Sequence, residues 1–424
     1  MILKTLGHAS LLLGEEKKPL LITDPWLYGT CYWNSWGLKR YPTKKEMSYV
    51  NKTKFAFITH EHQDHLHPET LYKLNKKITY LIPNFIHPNV KNFFKREKKF
   101  KYKILKKDNW FKIGDKTFIY YIHMWNDDTI LLIKNNNHYI LNINDAFPGN
   151  LTLRKIKRIT KNKNLIVLKS YSPASLINSM FLNNKRLIVF KKIFFYKRIQ
   201  KLCNFLNAKF YIPFASQVFF LRKDSKWANS YSVNYQFLKK NWNCKSILLP
   251  EYVKFNLENL KIENKYKEFK SKKVESIEKN LKSKRNEIYN FDLFKNNLLK
   301  KFKSLRIILF ILFPKGIIFS FTDKKVKMKY STYKNKLIVR KNNFSNYSVR
   351  IHAPYGPVYQ SITENFLEDI GIGMFTKIYV KSKFTGPLTT YLLFNVLLPM
   401  TEHDHLSSFK RFRLWFANYR QSLF

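Results

Sequence analysis

Cysteine is scarce: Cys31, Cys203 and Cys244 are the only 3 in 424 residues. Widely spaced and odd in number, they make neither a disulfide framework nor a Cys-rich metal cluster, and a reducing, cytoplasmic setting is expected. Glycine and proline are also few, at 11 and 15, which excludes collagen-like and low-complexity chains. Long apolar runs are missing too. The longest, Ile307 to Phe313, stops at Pro314-Lys315-Gly316, well under the roughly 20 residues that cross a bilayer. It reads as buried core, with an interfacial helix as the alternative, and no membrane span is expected. The N-terminal apolar stretch is broken by His8 and ends at Gly14-Glu15-Glu16, so it reads as a first strand and not as a targeting segment. Acidic residues are the other shortage, 28 against 78 Lys and Arg, for a net charge of +50.

What is present is enough apolar surface to fold: 45% hydrophobic and 17% aromatic residues offset the chain entropy that keeps polar chains disordered. The length suggests two or three domains. The charge has two readings. The joint excess of Lys with Asn, Ile, Phe and Tyr is what an AT-rich genome writes where selection is loose; the alternative is a surface built for a polyanion. Under either reading, a field of this sign draws in anionic substrates, with strong salt dependence. Nothing in the sequence points to specific nucleic-acid recognition.

From residue 1 to 255, short β-rich runs alternate with helical stretches, an α/β pattern. Strands are expected at Ile2 to Leu6, Ser10 to Leu13, Leu20 to Thr23, Phe55 to Thr59, Phe118 to His123, Thr129 to Ile133, His138 to Asn142 and Leu165 to Lys169. Helices are expected at Pro68 to Leu74, Pro88 to Lys95 and Phe195 to Asn207. Residues 256–304 read as a basic, helical, mostly solvated connector. Residues 305–424 return to strand-like alternation at Val326 to Tyr330 and Leu337 to Arg340, with an amphipathic segment from Tyr359 to Ile370, and read as a small α+β domain.

Four of the 11 histidines fall within Thr59-His60-Glu61-His62-Gln63-Asp64-His65-Leu66-His67, directly after an apolar β-type run. Side chains alternate along a strand, so His60 and His62 share one side as the chain leaves the sheet, with Asp64 and His65 following from the loop. Neutral imidazoles with a carboxylate suit zinc, iron and manganese alike. The spacing argues for a metal without choosing it.

This His-x-His-x-Asp-His string after a strand resembles the metallo-β-lactamase superfamily over roughly residues 1 to 255. The resemblance implies an αββα sandwich carrying a metal-binding catalytic domain. Leu6-Gly7-His8-Ala9-Ser10 and Thr23-Asp24-Pro25-Trp26-Leu27 are similar to the branch that includes ascorbate-6-phosphate lactonases and N-acyl-phosphatidylethanolamine phospholipases. Thr23 to Gly29 with Tyr32, Trp33 and Trp36, the Pro68-Glu69-Thr70-Leu71 string, and Ile140 to Ala146 further resemble CMP-N-acetylneuraminate hydroxylase. The superfamily resemblance implies His60, His62 and His123 on a first metal, Asp64 and His65 on a second, and Asp145 bridging them. The metal would be iron or zinc, in one or two copies.

Two departures bear on chemistry. Two-metal relatives offer a last histidine in a Pro-x-His pattern, and here the segment reads Tyr211-Ile212-Pro213-Phe214-Ala215; Ala215 cannot ligate. The hydroxylase family also carries a Rieske iron-sulfur domain, whereas none of the three cysteines has a histidine two or three residues away, so this chain holds no such cluster. An oxygenase would then take electrons from a separate Rieske-type donor and modify an anionic, nucleotide-activated or acylated sugar, as in sialic acid metabolism. The alternative is a zinc hydrolase of a phosphoester, lactone or amide, with Asp64 as proton acceptor. A third reading is a non-catalytic polyanion-binding protein. Among lesser candidates, His8 would touch substrate or pack, and His67 would orient a ligand. Trp33, Trp36 and Trp125 would floor a substrate pocket, and Glu402-His403-Asp404-His405 reads as a solvated turn or a metal tract.

Overall fold

The N-terminal alternation of short runs becomes two sheets. In the computed structural model, residues 1–124, 128–172, 179–187, 191–265, 289–383, 385–402 and 404–423 are described. The first sheet orders its strands Lys261–Ile262, Lys254–Asn256, Ile2–Leu6, Ser10–Gly14, Pro19–Thr23, Phe55–Phe57, Thr79–Pro83 and Lys101–Leu105. Its last four strands are parallel. The second runs Ile247–Leu248, Phe210–Phe214, Asn164–Ser170, His138–Asn144, Thr129–Asn135, Thr117–His123 and Phe111–Lys112. The expected strands are found with ends shifted by a residue or two.

Alternation places the layers. Along Thr117–His123, Ile119 and Tyr121 join Leu3, Leu13, Leu21 and Phe57 in a core between the two sheets, while Tyr120 and Ile122 face outward to Ile156, Ile199 and Cys203 of the helices Asn150–Ile159 and Lys192–Leu206. Leu12, Ile22 and Ile82 on the outer side of the first sheet likewise meet Val50, Leu71 and Phe94. Both faces of each sheet are therefore buried, which is why these strands read as near-continuous apolar runs. The α/β class holds.

The third sheet belongs mainly to the C-terminal part: Lys185–Arg186, Met180–Leu182, Lys377–Val380, Val349–Ala353, Ile317–Phe321, Lys327–Ser331 and Lys336–Arg340. Its edge is thus supplied by residues 180–186, inside the span assigned by sequence to the first domain, with Met180–Leu182 parallel to Lys377–Val380. The helix Phe291–Lys303, assigned to the solvated connector, buries Phe294, Leu298 and Phe302 in the C-terminal core. Residues 266–288 of the connector lie outside the described residues.

Two further expectations are corrected. The run Ile307 to Phe313 is not continuous core: it forms the helix Arg306–Leu312, in which Leu309 is fully buried but Ile307 and Ile311 are 76% and 70% exposed. A single helix on a domain surface buries one stripe, and an apolar run too short to cross a membrane carries no more information than that. The segment Tyr359 to Ile370 is broken in two, Tyr355–Thr363 and Asp369–Ile372, with Asn365 left-handed between them at φ 66°. Among the described residues, no helix is long and apolar enough to cross a membrane.

Candidate metal centre

The parallel strands of both sheets end on the same side, and the loops beyond strand ends are where open α/β sheets place ligand-binding groups. His60, His62, Asp64 and His65 leave the end of Phe55–Phe57, and Asp145 leaves the end of His138–Asn144. His8 sits in the turn between the first two strands, after Gly7, whose φ of 54° and near contact with the Trp26 carbonyl (a Cβ would lie 2.5 Å from it) admit no side chain.

One buried carboxylate organises the group. Asp24, at φ 40°, accepts from the Thr59 amide (2.7 Å), the Thr59 hydroxyl (2.7 Å) and the Asn144 side-chain amide (2.8 Å), and lies 3.0 Å from His65 Nδ1. His65 is thereby turned so that Nε2 faces the centre. Thr59 Oγ1 lies 3.0 Å from His60 Nδ1, which turns His60 Nε2 the same way. A ligand histidine is oriented by such a partner on its other nitrogen.

The facing atoms converge. Asp145 Oδ2 is 3.8 Å from Nε2 of His60 and 3.8 Å from Nε2 of His65. His60, His62 and Asp145 offer donor atoms all within 4.8 Å of one another, as do His8, Asp64 and His65, and also His62, Glu368 and Asp369. His60 Nε2, His65 Nε2 and Asp145 Oδ1 are buried with no hydrogen-bond partner among the described residues. Buried polar atoms left unpaired cost about 1–3 kcal/mol each, so two unpaired imidazole nitrogens, each 3.8 Å from Asp145 Oδ2, fit a bound cation.

Charge points the same way. In a chain with only 28 acidic residues, Asp24, Asp64, Asp128, Asp145, Glu368 and Asp369 gather around these histidines. Burial and then Asp145 push the Asp128 carboxyl up to about 8. Burial would also raise Asp145, but His60 and His65 hold it down to about 2. Burial likewise opposes the charged forms of Asp64, His65 and His62, yet His65 and His8 hold Asp64 well below the carboxylate range, Asp64, Asp145 and Asp24 raise His65, and Glu368 with Asp369 raises His62. His60, unlike His62 and His65, is driven down, by burial and then by its neighbours His65 and His62.

The C-terminal part closes over this loop. Glu368 Oε1 lies 3.3 Å from His62 Nε2, and Gln63 donates to Asp369 (3.0 Å). Trp33 donates to Gln360 (2.6 Å) and Trp36 to the Ile372 carbonyl (3.2 Å).

The structure does not bring every expected residue together. His123 Nε2 meets the Asn84 carbonyl at 3.0 Å, with the ring against Tyr121 and Phe85, and it falls in none of the donor groups. The Asn84 amide is held there by the Tyr121 hydroxyl (3.2 Å). Asp64 has both oxygens engaged, Oδ1 by the Tyr32 hydroxyl (2.5 Å) and Oδ2 by His8 (3.0 Å), with His65 Nε2 3.2 Å from Oδ2, which leaves little room for a proton acceptor. Trp33 packs on Phe366 and Phe375 rather than flooring a pocket, and Trp36 is buried among His8, Tyr32 and Phe220. Trp125 lies outside the described residues. His67 caps the helix Pro68–Lys73, accepting from the Thr70 amide (3.2 Å), and so acts on backbone and not on a ligand. In the C-terminal string, His405 is buried against His87, 2.5 Å between their Nε2 atoms; Glu402 pairs with Lys301; His403 is outside the described residues.

Asp24, Tyr32, Asp128, Glu368 and Asp369 were not expected at the site. Asp24 stands in the quoted Thr-Asp-Pro string, a usable signal. Tyr32, Trp33 and Asn34 are three consecutive non-glycine residues at positive φ (51°, 52° and 62°), a strained turn of the kind that clusters at functional sites and that no composition reveals.

No family model matches the chain, and no curated protein does. Among solved structures it is similar to an isothiocyanate hydrolase from Delia radicum gut bacteria, at 13% identity over 61% of this chain and 99% of that one, TM-score 0.44. It is also similar to CmlA, a diiron β-hydroxylase from Streptomyces venezuelae, at 14% identity over 60% and 54%, TM-score 0.39. A third is the metallo-β-lactamase fold protein YhfI from Bacillus subtilis, at 9% identity over 59% and 96%, TM-score 0.38. All three scores lie below 0.5, and these likenesses carry no weight for the chemistry of this chain.

Proposed function

We propose that this chain is a metal-dependent enzyme of the metallo-β-lactamase superfamily that hydrolyses an anionic substrate at a two-metal centre. The observation that carries the reading is Asp145 Oδ2, equidistant at 3.8 Å from His60 Nε2 and His65 Nε2, the position of a bridging carboxylate. His60 and His62 would hold one ion and Asp64 and His65 the other. The two face-packed sheets with helices outside them, and the His-x-His-x-Asp-His loop at their strand ends, support the superfamily assignment. An ion of the zinc class, when bound, lowers the pKa of a water to about 7 and stabilises a developing oxyanion.

The chain's own residues suggest what is bound beside it. Directly after Asp145, a cavity of about 310 Å³ is lined by Phe147, Lys169, Phe195, Arg198 and Phe205. Lys169 and Arg198 lie over the Phe147 ring at 4.3 and 4.5 Å. The Arg198 guanidinium on an apolar wall, beside a Lys169 amine that burial lowers to about 7, suits a substrate that joins an anionic group to an apolar body.

A second reading, hydroxylation, is favoured by the carboxylates Glu368 and Asp369 beside His62, because oxygen-rich sets with imidazole suit iron and manganese. It would need electrons from a separate Rieske-type donor, with an acylated or nucleotide-activated sugar as substrate.

The test is metal analysis of the full-length protein purified without chelator and without oxygen, paired with His60→Ala and Asp145→Ala. Two zinc ions per chain, falling sharply in both variants, are expected. One iron and little else would favour hydroxylation, and unchanged metal in both folded variants would sink the ligand assignment.

A further inference from the structure

The second ion is short of a ligand. Relatives with the Pro-x-His pattern would place an imidazole where this chain has Ala215, at the end of the strand Phe210–Phe214. Ala215 itself is left-handed, at φ 46°, and its amide donates to the His8 carbonyl at 3.1 Å, so the strand end and the Gly7-His8 turn are locked side by side. Only a cavity of about 20 Å³ remains where His8, Trp36 and Ala215 meet.

Resting on the two-metal reading above, we infer that His8 is the replacement: its Nε2 ligates the second ion together with Asp64 and His65. His8 is buried, and its Nε2 lies 3.0 Å from Asp64 Oδ2; His65 Nε2 lies 3.2 Å from the same oxygen. The three donor atoms fall within 4.8 Å of one another, the span of ligands around one ion. Asp64 Oδ1 is already taken by Tyr32, so Oδ2 is the oxygen offered to the cluster.

The orientation of His65 argues for an ion as well: with Nδ1 3.0 Å from the Asp24 carboxylate, the ring presents Nε2 toward Asp64 Oδ2, and that nitrogen is buried with no hydrogen-bond partner among the described residues. A ligand from a strand turn also explains why Asp64 and His65 remain aimed at a common point although the strand Phe210–Phe214 is followed by Ala215 and not by a histidine.

The experiment uses the full-length protein stripped with chelator and reloaded with cobalt(II) or zinc, counting metal per chain and following cobalt d–d absorption, with circular dichroism to confirm folding. Wild type is expected to take two ions, and His8→Ala one. His8→Gln, which keeps an N–H for Asp64 but has no imidazole, should also take one. Adding Ala215→His to His8→Gln should restore the second, since histidine tolerates the left-handed conformation better than most residues. If His8→Gln keeps two ions, His8 is only a hydrogen-bond donor and the inference is overturned. It is equally overturned if wild type takes a single ion, which would leave the first site standing. A wild type that binds none would overturn the metal reading itself, and a folded double variant that stays at one ion would overturn the inference that His8 replaces a ligand at the Ala215 position.

Discussion

Asp24 contributes to the centre without facing it. Its carboxylate fixes Thr59, Asn144 and His65 at once, so Asp24→Asn would leave the fold in place while letting the His65 ring turn. Losing such a partner costs about 10–100-fold in metal affinity, and competition against a chromophoric chelator should read a loss of that size. His123 gives the opposite expectation: with Nε2 engaged by the Asn84 carbonyl, His123→Ala should keep most of the metal that His60→Ala loses. Retention of metal in His60→Ala with loss in His123→Ala would reverse the assignment. At this scale the sequence was informative where chemistry is concentrated locally. His60, His62, Asp64 and His65, which the structure brings together, stand in one string, and Asp145 entered only through the family resemblance. The orienting carboxylate and the left-handed turn that delivers Tyr32 arise from contacts between distant segments, which spacing does not encode.

Among the elements, the helix Lys44–Val50 shows how much a short segment can carry. Thr43 and Glu46 form a reciprocal capping box, and Glu46 also takes Arg40 and Lys4, at 2.6 and 2.7 Å. Burial would raise the Glu46 carboxyl; the hydrogen bonds from Arg40, Lys4 and Thr43 outweigh it and bring it down to about 2 from 4.5. A depressed carboxyl stabilises the fold above its unfolded value and loses that contribution as pH falls through its folded value. Glu46→Gln should therefore lower stability at neutral pH, by about 1.5–3 kcal/mol, and flatten the acid-induced loss between pH 4.5 and about 2; denaturant melts across that window would show it. The helix Arg306–Leu312 makes a sharper contrast. Leu309→Ala should cost about 2–5 kcal/mol, while Ile307→Asn and Ile311→Asn should stay within about 0.5 kcal/mol. Equal costs at all three positions would restore the buried reading of that run. Strands were legible because burial on both faces leaves continuous apolar runs; this helix was not, because a short apolar run carries no periodicity to say which side is covered.

For the whole molecule, the decisive feature is where the few acidic residues are. A chain of net charge +50 concentrates carboxylates at one strand-end cluster, where a bound cation would balance them, while Lys169 and Arg198 flank the neighbouring cavity. The C-terminal part, which the sequence reading left without a role, reaches this place through Glu368 and Asp369. Their numbers lie some three hundred residues from His62 in the chain (306 for Glu368), and no local pattern announces such a meeting. The central claim is that Asp145 bridges two ions. Anomalous X-ray diffraction at the zinc edge, on crystals of the metal-loaded full-length protein, tests it directly. Two peaks about 3.5–4 Å apart, one beside His60 and His62 and the other beside His65, Asp64 and His8, with Asp145 between them, are expected. A single peak away from Asp145, or none under saturating metal, would contradict the account.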